Sequence, residues 1–170
     1  MFQIFPVKTV VVILDVADPA RLPEVTSGLI EGLLQLADDD MAYVYRPDGD
    51  LAMGRTVHES VAVLSDWQHA AVDTPAALQE CVALLAQHAD TRRGLFYVTD
   101  NYKSRNDGIF QDVLRLASHS GWDIKFRVYE FGPGRTLADL AAGQPADYTY
   151  TQLTGPPALR DNFKKAVENL

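Results

Sequence analysis

The sequence predicts an α/β fold: a mostly parallel six-stranded sheet with one antiparallel edge strand and helices on both faces. Three observations predict it. Apolar runs such as Thr9–Leu14 and Leu95–Val98 do not alternate, as strands covered on both faces do not. Between such runs lie segments whose apolar residues recur at helical spacing. The two kinds of segment alternate along the chain, the pattern of strands joined by crossover helices.

The elements follow in order. The first strand stops at Asp15 and opens into Val16-Ala17-Asp18-Pro19. Pro23 suits the first turn of a helix, and Val25, Leu29, Leu33 and Leu36 carry its stripe. Gly28 and Gly32 each cost about 1 kcal/mol in helix propensity relative to alanine, which close approach to the sheet would offset. Asp38-Asp39-Asp40 then reads as a solvated turn, because carboxylates at a helix C-terminus oppose its dipole. Met41 to Arg46 is a second strand, closed by the turn Pro47-Asp48-Gly49-Asp50. From Arg55 to Leu64, Val57, Val61 and Val63 alternate with His58 and Ser60, the pattern of an antiparallel edge strand. Thr74 is placed to cap a helix with Pro75 at its first position, and Leu78, Val82, Leu85 and Ala89 form that helix's stripe. Leu95 to Asp100 is a second apolar strand ending at a carboxylate. A helix capped by Asn106 or Asp107 follows, with Ile109, Val113, Leu116 and Ala117 inward. Ile124 to Phe131 is a strand whose Lys125 and Arg127 face is incompletely covered. After Gly132-Pro133-Gly134 come a short helix from Thr136 to Ala142 and a last strand from Asp147 to Leu153. Past Gly155-Pro156-Pro157 an amphipathic helix, about 157–170, closes the sequence.

Composition narrows the function. At 170 residues, 47% hydrophobic and 22% charged, one globular domain is expected. A net charge of −8 argues against a nucleic-acid or anionic-membrane surface. No run approaches the roughly 20 apolar residues of a membrane span, and Met1 to Lys8 does not read as a secretory signal. Cys81 is the one cysteine; it fits a core position and a reducing compartment, so a cytoplasmic protein is expected. Glycine cradles for nucleotides and the Gly-x-Ser-x-Gly elbow of hydrolases are absent. His58, His69, His88 and His119 share no ligand spacing.

The run Val-Val-Val-Ile-Leu-Asp15, the Thr74-Pro75-Ala76-Ala77-Leu78 helix start, Val98-Thr99-Asp100-Asn101 and Tyr129-Glu130-Phe131-Gly132-Pro133-Gly134 with Thr136 to Ala141 stand in a telling order. Together they resemble von Willebrand factor A (vWA) domains, over about Lys8 to Leu153. The resemblance implies a Rossmann-like three-layer sandwich as a single domain over 1–170. It also implies a site for a divalent ion, with Asp15, Thr74 and Asp100 in ligand positions. The two serines of that family's first loop are here Ala17 and Pro19, which carry no side-chain oxygen. The expected site is thus an incomplete one, with no cofactor or at most Mg²⁺ or Mn²⁺, ions that seek oxygen ligands. From the residues themselves a plainer reading stands beside it: Thr74 as a helix cap, Asp15 and Asp100 as acceptors for loop amides.

The function expected is therefore a non-enzymatic protein-binding or scaffold subunit of a larger assembly. Its binding edge would comprise Asp15, Asp18, Thr74, Asp100 and Asn101, and the acidic balance favours a basic partner. The competing reading is a metal-dependent nuclease of PIN or NYN type, with Asp15, Asp18, Asp100 and Asp107 activating a water. The negative charge and the lack of a basic stripe weigh against it.

Overall fold

The middle of the sheet is built from the two apolar runs that end in carboxylates. The computed structural model of the protein describes residues 7–46, 56–68, 72–100, 102, 108, 110–112, 115, 124–132, 137 and 148–170. Among these, the strands are β1 (Lys8–Asp15), β2 (Met41–Val44), β3 (Arg92–Thr99), β4 (Ile124–Phe131) and β5 (Tyr148–Leu153). They lie in the order β2-β1-β3-β4-β5, all pairings parallel. The helices are α1 (Leu22–Leu33), α2 (Val57–Ser65), α3 (Thr74–Ala86) and a last helix, α4 (Pro156–Glu168). Further helical residues occur at 108, 110–112 and 115, and at 137.

β1 is buried from Thr9 to Asp15, and β3 from Arg93 to Thr99, which accounts for their unbroken apolar character. Alternate side chains serve two cores. On one face Val10, Val12, Leu14, Phe96, Val98, Tyr129 and Phe131 pack with residues of α1, α2 and α4. On the other, Val11, Ile13, Tyr43, Leu95, Tyr97, Phe126 and Val128 pack with α3 and Phe110. Phe110 was not foreseen in the buried stripe of its helix; Ile109, Val113, Leu116 and Ala117, which were, lie outside the described residues. Cys81 is fully buried in the second core, and burial pushes its thiol up, so it packs as a small apolar residue.

The antiparallel edge strand expected over 55–64 is instead helix α2. Its signal is a capping box: Thr56 Oγ1 accepts the Glu59 amide at 3.1 Å, and Glu59 Oε2 accepts the Thr56 amide at 3.2 Å. Ser60 and Leu64 are its buried residues, four apart. The Tyr45 amide donates inward to Val12, so the period of two turns the Ala42 carbonyl outward. The Ser60 hydroxyl donates to that carbonyl. A helix side chain, rather than another strand, thus meets the edge of β2.

Three smaller expectations change as well. Gly28 and Gly32 face α4, not the sheet: a Cβ at Gly28 would stand 3.1 Å from Arg160 Cβ, and one at Gly32 would overlap the Phe163 ring. Asp40, read as part of a solvated turn with Asp38 and Asp39, is buried and accepts the amides of Lys8 and Ala37, both at 2.8 Å. The cap of α3 is Asp73, which accepts the Ala76 amide at 3.3 Å, while Thr74 lies inside the helix. The Lys125 and Arg127 face of β4 is half-covered, as expected, and on it Lys125 Nζ donates to Asn169 O at 3.3 Å. Lys8 Nζ donates to Val167 O and Arg92 to Leu170 O, each at 3.0 Å. Three cations from the starts of neighbouring strands thus meet the carbonyl end of α4, where positive charge is favoured.

Candidate functional site at the carboxyl ends of the strands

The chain passes from β1 outward to β2 and returns to β3 on the other side, so the strand order reverses between β1 and β3. Ligands of open α/β sheets settle at such a point, beyond the carboxyl ends of the strands. Asp15 ends β1 and Asp100 follows β3, so both stand at this reversal.

Their carboxylates find partners on opposite sides of the sheet. Asp15 is 2% exposed, on the α3 side. Its Oδ2 accepts from the Tyr97 hydroxyl at 3.2 Å and, at 3.4 Å, from Thr99 Oγ1. Tyr97 gives its proton to Asp15, so Thr74 Oγ1, 3.1 Å from the Tyr97 oxygen, is the donor in that bond. Burial, and then the charge of Asp15, pushes the Tyr97 hydroxyl up and keeps it a neutral donor. Asp100 is one position past the register partner of Asp15, which is Thr99, and alternation along the strand turns it toward the α1 side. There Oδ1 accepts the Ala17 amide at 2.7 Å, and Oδ2 accepts the Asp18 amide and Arg21 Nη1, each at 3.2 Å. The Arg21 guanidinium lies over the Phe131 ring, 4.8 Å from its centroid. Asp18 is exposed and accepts the Ala20 amide at 3.0 Å, bracing its own loop.

The structure thus joins Asp15 to Thr74 through Tyr97, and Asp100 to Asp18 through the backbone. Asn101 and Asp107 lie outside the described residues, as do His69 and His119. Three participants were not foreseen. Arg21 is the lone cation of the loop between β1 and α1, and that isolation was its only signal. Tyr97 sits two residues before Thr99, on the same face. Glu130 shares that face: Asp15, Thr99, Glu130 and Gln152 form one row across four strands. Glu130 is 6% exposed, and its Oε1 accepts from the Tyr150 hydroxyl at 2.7 Å. Desolvation raises its pKa, with the Tyr150 bond opposing.

No protein-family model matches the sequence, and no curated protein matches it. Solved structures do. A von Willebrand factor type A protein from Catenulispora acidiphila superposes with a TM-score of 0.66 at 10% identity, over 95% of this chain and 42% of its own. The VWA domain of SpRpn10 gives 0.65 at 9% identity, over 94% of each chain. The fold is vWA-like. Proximal thread matrix protein 1 of the mussel byssus, with a zinc-occupied MIDAS motif, gives a TM-score of 0.70 at 8% identity, over 96% of this chain and 46% of that one. The present chain spans less than half of the first and third of these proteins, and nearly all of the VWA domain of SpRpn10.

A vWA-like fold can therefore hold a divalent ion, as the mussel protein does. Among the described residues of this chain, no group of three or more His, Cys, Asp or Glu residues stands together so as to ligate one. The nuclease reading gains no support, since Asp100 and Asp18 direct their oxygens at loop amides and Arg21. No described helix is long and apolar enough to cross a membrane.

Proposed function

We propose that this vWA-like domain is a non-enzymatic protein-binding or scaffold subunit of a larger cytoplasmic assembly. Its partner contacts the loops at the carboxyl edge of the sheet, around Asp15, Asp18, Thr74, Asp100 and Asn101. One observation carries the reading: both oxygens of Asp100 and Oδ2 of Asp15 are engaged with the protein's own donors. Catalysis by a carboxylate needs lone pairs aimed at a reacting proton or at a water. Asp100 aims its oxygens at two amides and Arg21, and Asp15 accepts hydroxyls from Tyr97 and Thr99. Such bonds fix the shape of an edge. With a net charge of −8 and Asp18 exposed at the loop, the edge suits a partner with basic character.

A photo-crosslinking amino acid at exposed Ala20, compared with one at exposed Asp90 beyond α3, tests this in cells that express the protein. Position 20 is expected to trap a defined protein and position 90 is not. Equal trapping at both positions, or hydrolysis of single-stranded RNA by the purified protein in Mn²⁺, would overturn the proposal.

A further inference from the structure

We propose that Arg21 and Tyr97 together take over the work of a divalent ion at this edge, so that it is assembled without metal. The inference rests on reading the edge as a vWA-like site with Asp15, Thr74 and Asp100 in the ligand positions. A hard cation gathers such oxygens by turning their lone pairs toward one point and neutralising their charge. Here Tyr97 performs the first task between Asp15 and Thr74, and Arg21 performs the second at Asp100. The Tyr97 oxygen lies 3.1 Å from Thr74 Oγ1 and 3.2 Å from Asp15 Oδ2. It ties the helix residue to the end of β1 through hydrogen bonds where a ligated ion would use coordination. Arg21 supplies the countercharge to Asp100, whose side chain is 7% exposed. Its guanidinium lies over the Phe131 ring, 4.8 Å from the centroid.

Two features make the replacement self-consistent. Ala17 and Pro19 occupy the positions where the resemblance expects hydroxyls, and the Ala17 amide turns instead to Asp100 Oδ1 at 2.7 Å. A divalent ion brought to Asp100 would also meet a fixed positive charge, since Arg21 Nη1 is 3.2 Å from Oδ2. Repulsion between like charges at that range disfavours entry of the ion.

Thermal denaturation and calorimetric titration of the purified protein, in EDTA and in Mg²⁺ or Mn²⁺ up to about 10 mM, test the proposal. A site with a dissociation constant of about 0.1 mM would raise the Tm by about 5–10 °C at that concentration. The wild type is expected to show no heat of binding and no such rise. In EDTA, Arg21→Ala is expected to lower the Tm by about 3–6 °C, because Asp100 loses its countercharge. Arg21→Lys, which keeps the charge but loses the planar fork, is expected to fall between the two and to ignore Mn²⁺. If Arg21→Ala does not fold, the wild-type and Arg21→Lys titrations decide. A wild-type Tm that rises with Mn²⁺, with the rise abolished by Asp100→Ala, would overturn the inference. So would an Arg21→Ala protein as stable in EDTA as the wild type. Crosslinking at position 20 separates this from the proposed function. Trapping of a partner despite Mn²⁺ binding would remove only the metal-free inference. A metal-blind protein that traps nothing would remove only the binding edge.

Discussion

At Gly32 a single methyl group would reach into the ring of Phe163. That ring is fully buried and meets Phe96 edge-on at 4.9 Å between centroids, so it has little room to withdraw. Gly32→Ala is expected to destabilise the protein by about 1–3 kcal/mol, the usual cost of overpacking, despite alanine's better helix propensity. Urea denaturation of the variant measures this, and an unchanged midpoint would show that α1 and α4 can move apart. Glu130 carries a pH dependence of its own. Its pKa is raised above the ordinary 4.5 by desolvation, so the folded chain holds that proton more tightly than the unfolded one does. The contribution is therefore complete below about 4.5 and is lost as pH rises through the raised value. Glu130→Gln, neutral throughout, is expected to gain stability relative to the wild type between pH 4 and pH 7, read from urea midpoints at both. A difference that stays flat with pH would show that Glu130 ionises as freely in the native state as in the unfolded one. Residues of this kind set the limit of what a sequence discloses. The position of Asp15 at a strand end could be read from the apolar run before it, because burial on both faces leaves a local pattern. The partners of Asp15 and Asp100 come from residues about 80 positions away in the chain, and no local pattern records such a meeting. Arg21 and Tyr97 were missed for that reason.

Among the elements, the strands of the sheet interior were legible and α2 was not. Valines at 57, 61 and 63 suggested alternation, yet Thr56 and Glu59 form a capping box that needs no tertiary context to be recognised. The local start signal outweighed the β-branched residues, whose helix penalty is a few tenths of a kcal/mol each. The sequence marks the last helix as amphipathic. Its apolar side is part of the core, with Leu159, Phe163 and Val167 buried, beside Leu170. Burial of such side chains contributes about 1.5–3 kcal/mol each, which together rivals the whole stability of a domain, about 5–15 kcal/mol. Deleting residues 156–170 is expected to abolish cooperative unfolding and to expose the surface of α1 to a hydrophobic dye. A truncated chain that still melts in a sharp transition would show that α4 is dispensable to the fold.

For the molecule as a whole, the two ends of the sheet gather different side chains. Lys8, Arg92 and Lys125 gather at the strand starts, where they meet the end of α4. Asp15, Asp18, Asp100 and Glu130 gather at the other end, with Arg21 paired to Asp100. The parallel α/β class could be read from alternation of segments, but the sheet order could not, because it depends on which strands meet after long crossovers. The interlock of α1 with α4 has a further consequence, for synthesis. More than 120 residues separate Gly32 from Phe163, so α1 emerges from the ribosome long before its cover exists. Until α4 arrives, the stripe of Val25, Leu29 and Leu33 lacks the helix that later closes over it. Such an exposed stripe is the kind of surface that chaperones hold and that aggregates grow from. Completion of this fold is therefore a late event, set by the appearance of the last helix rather than by the speed of pairing the first strands.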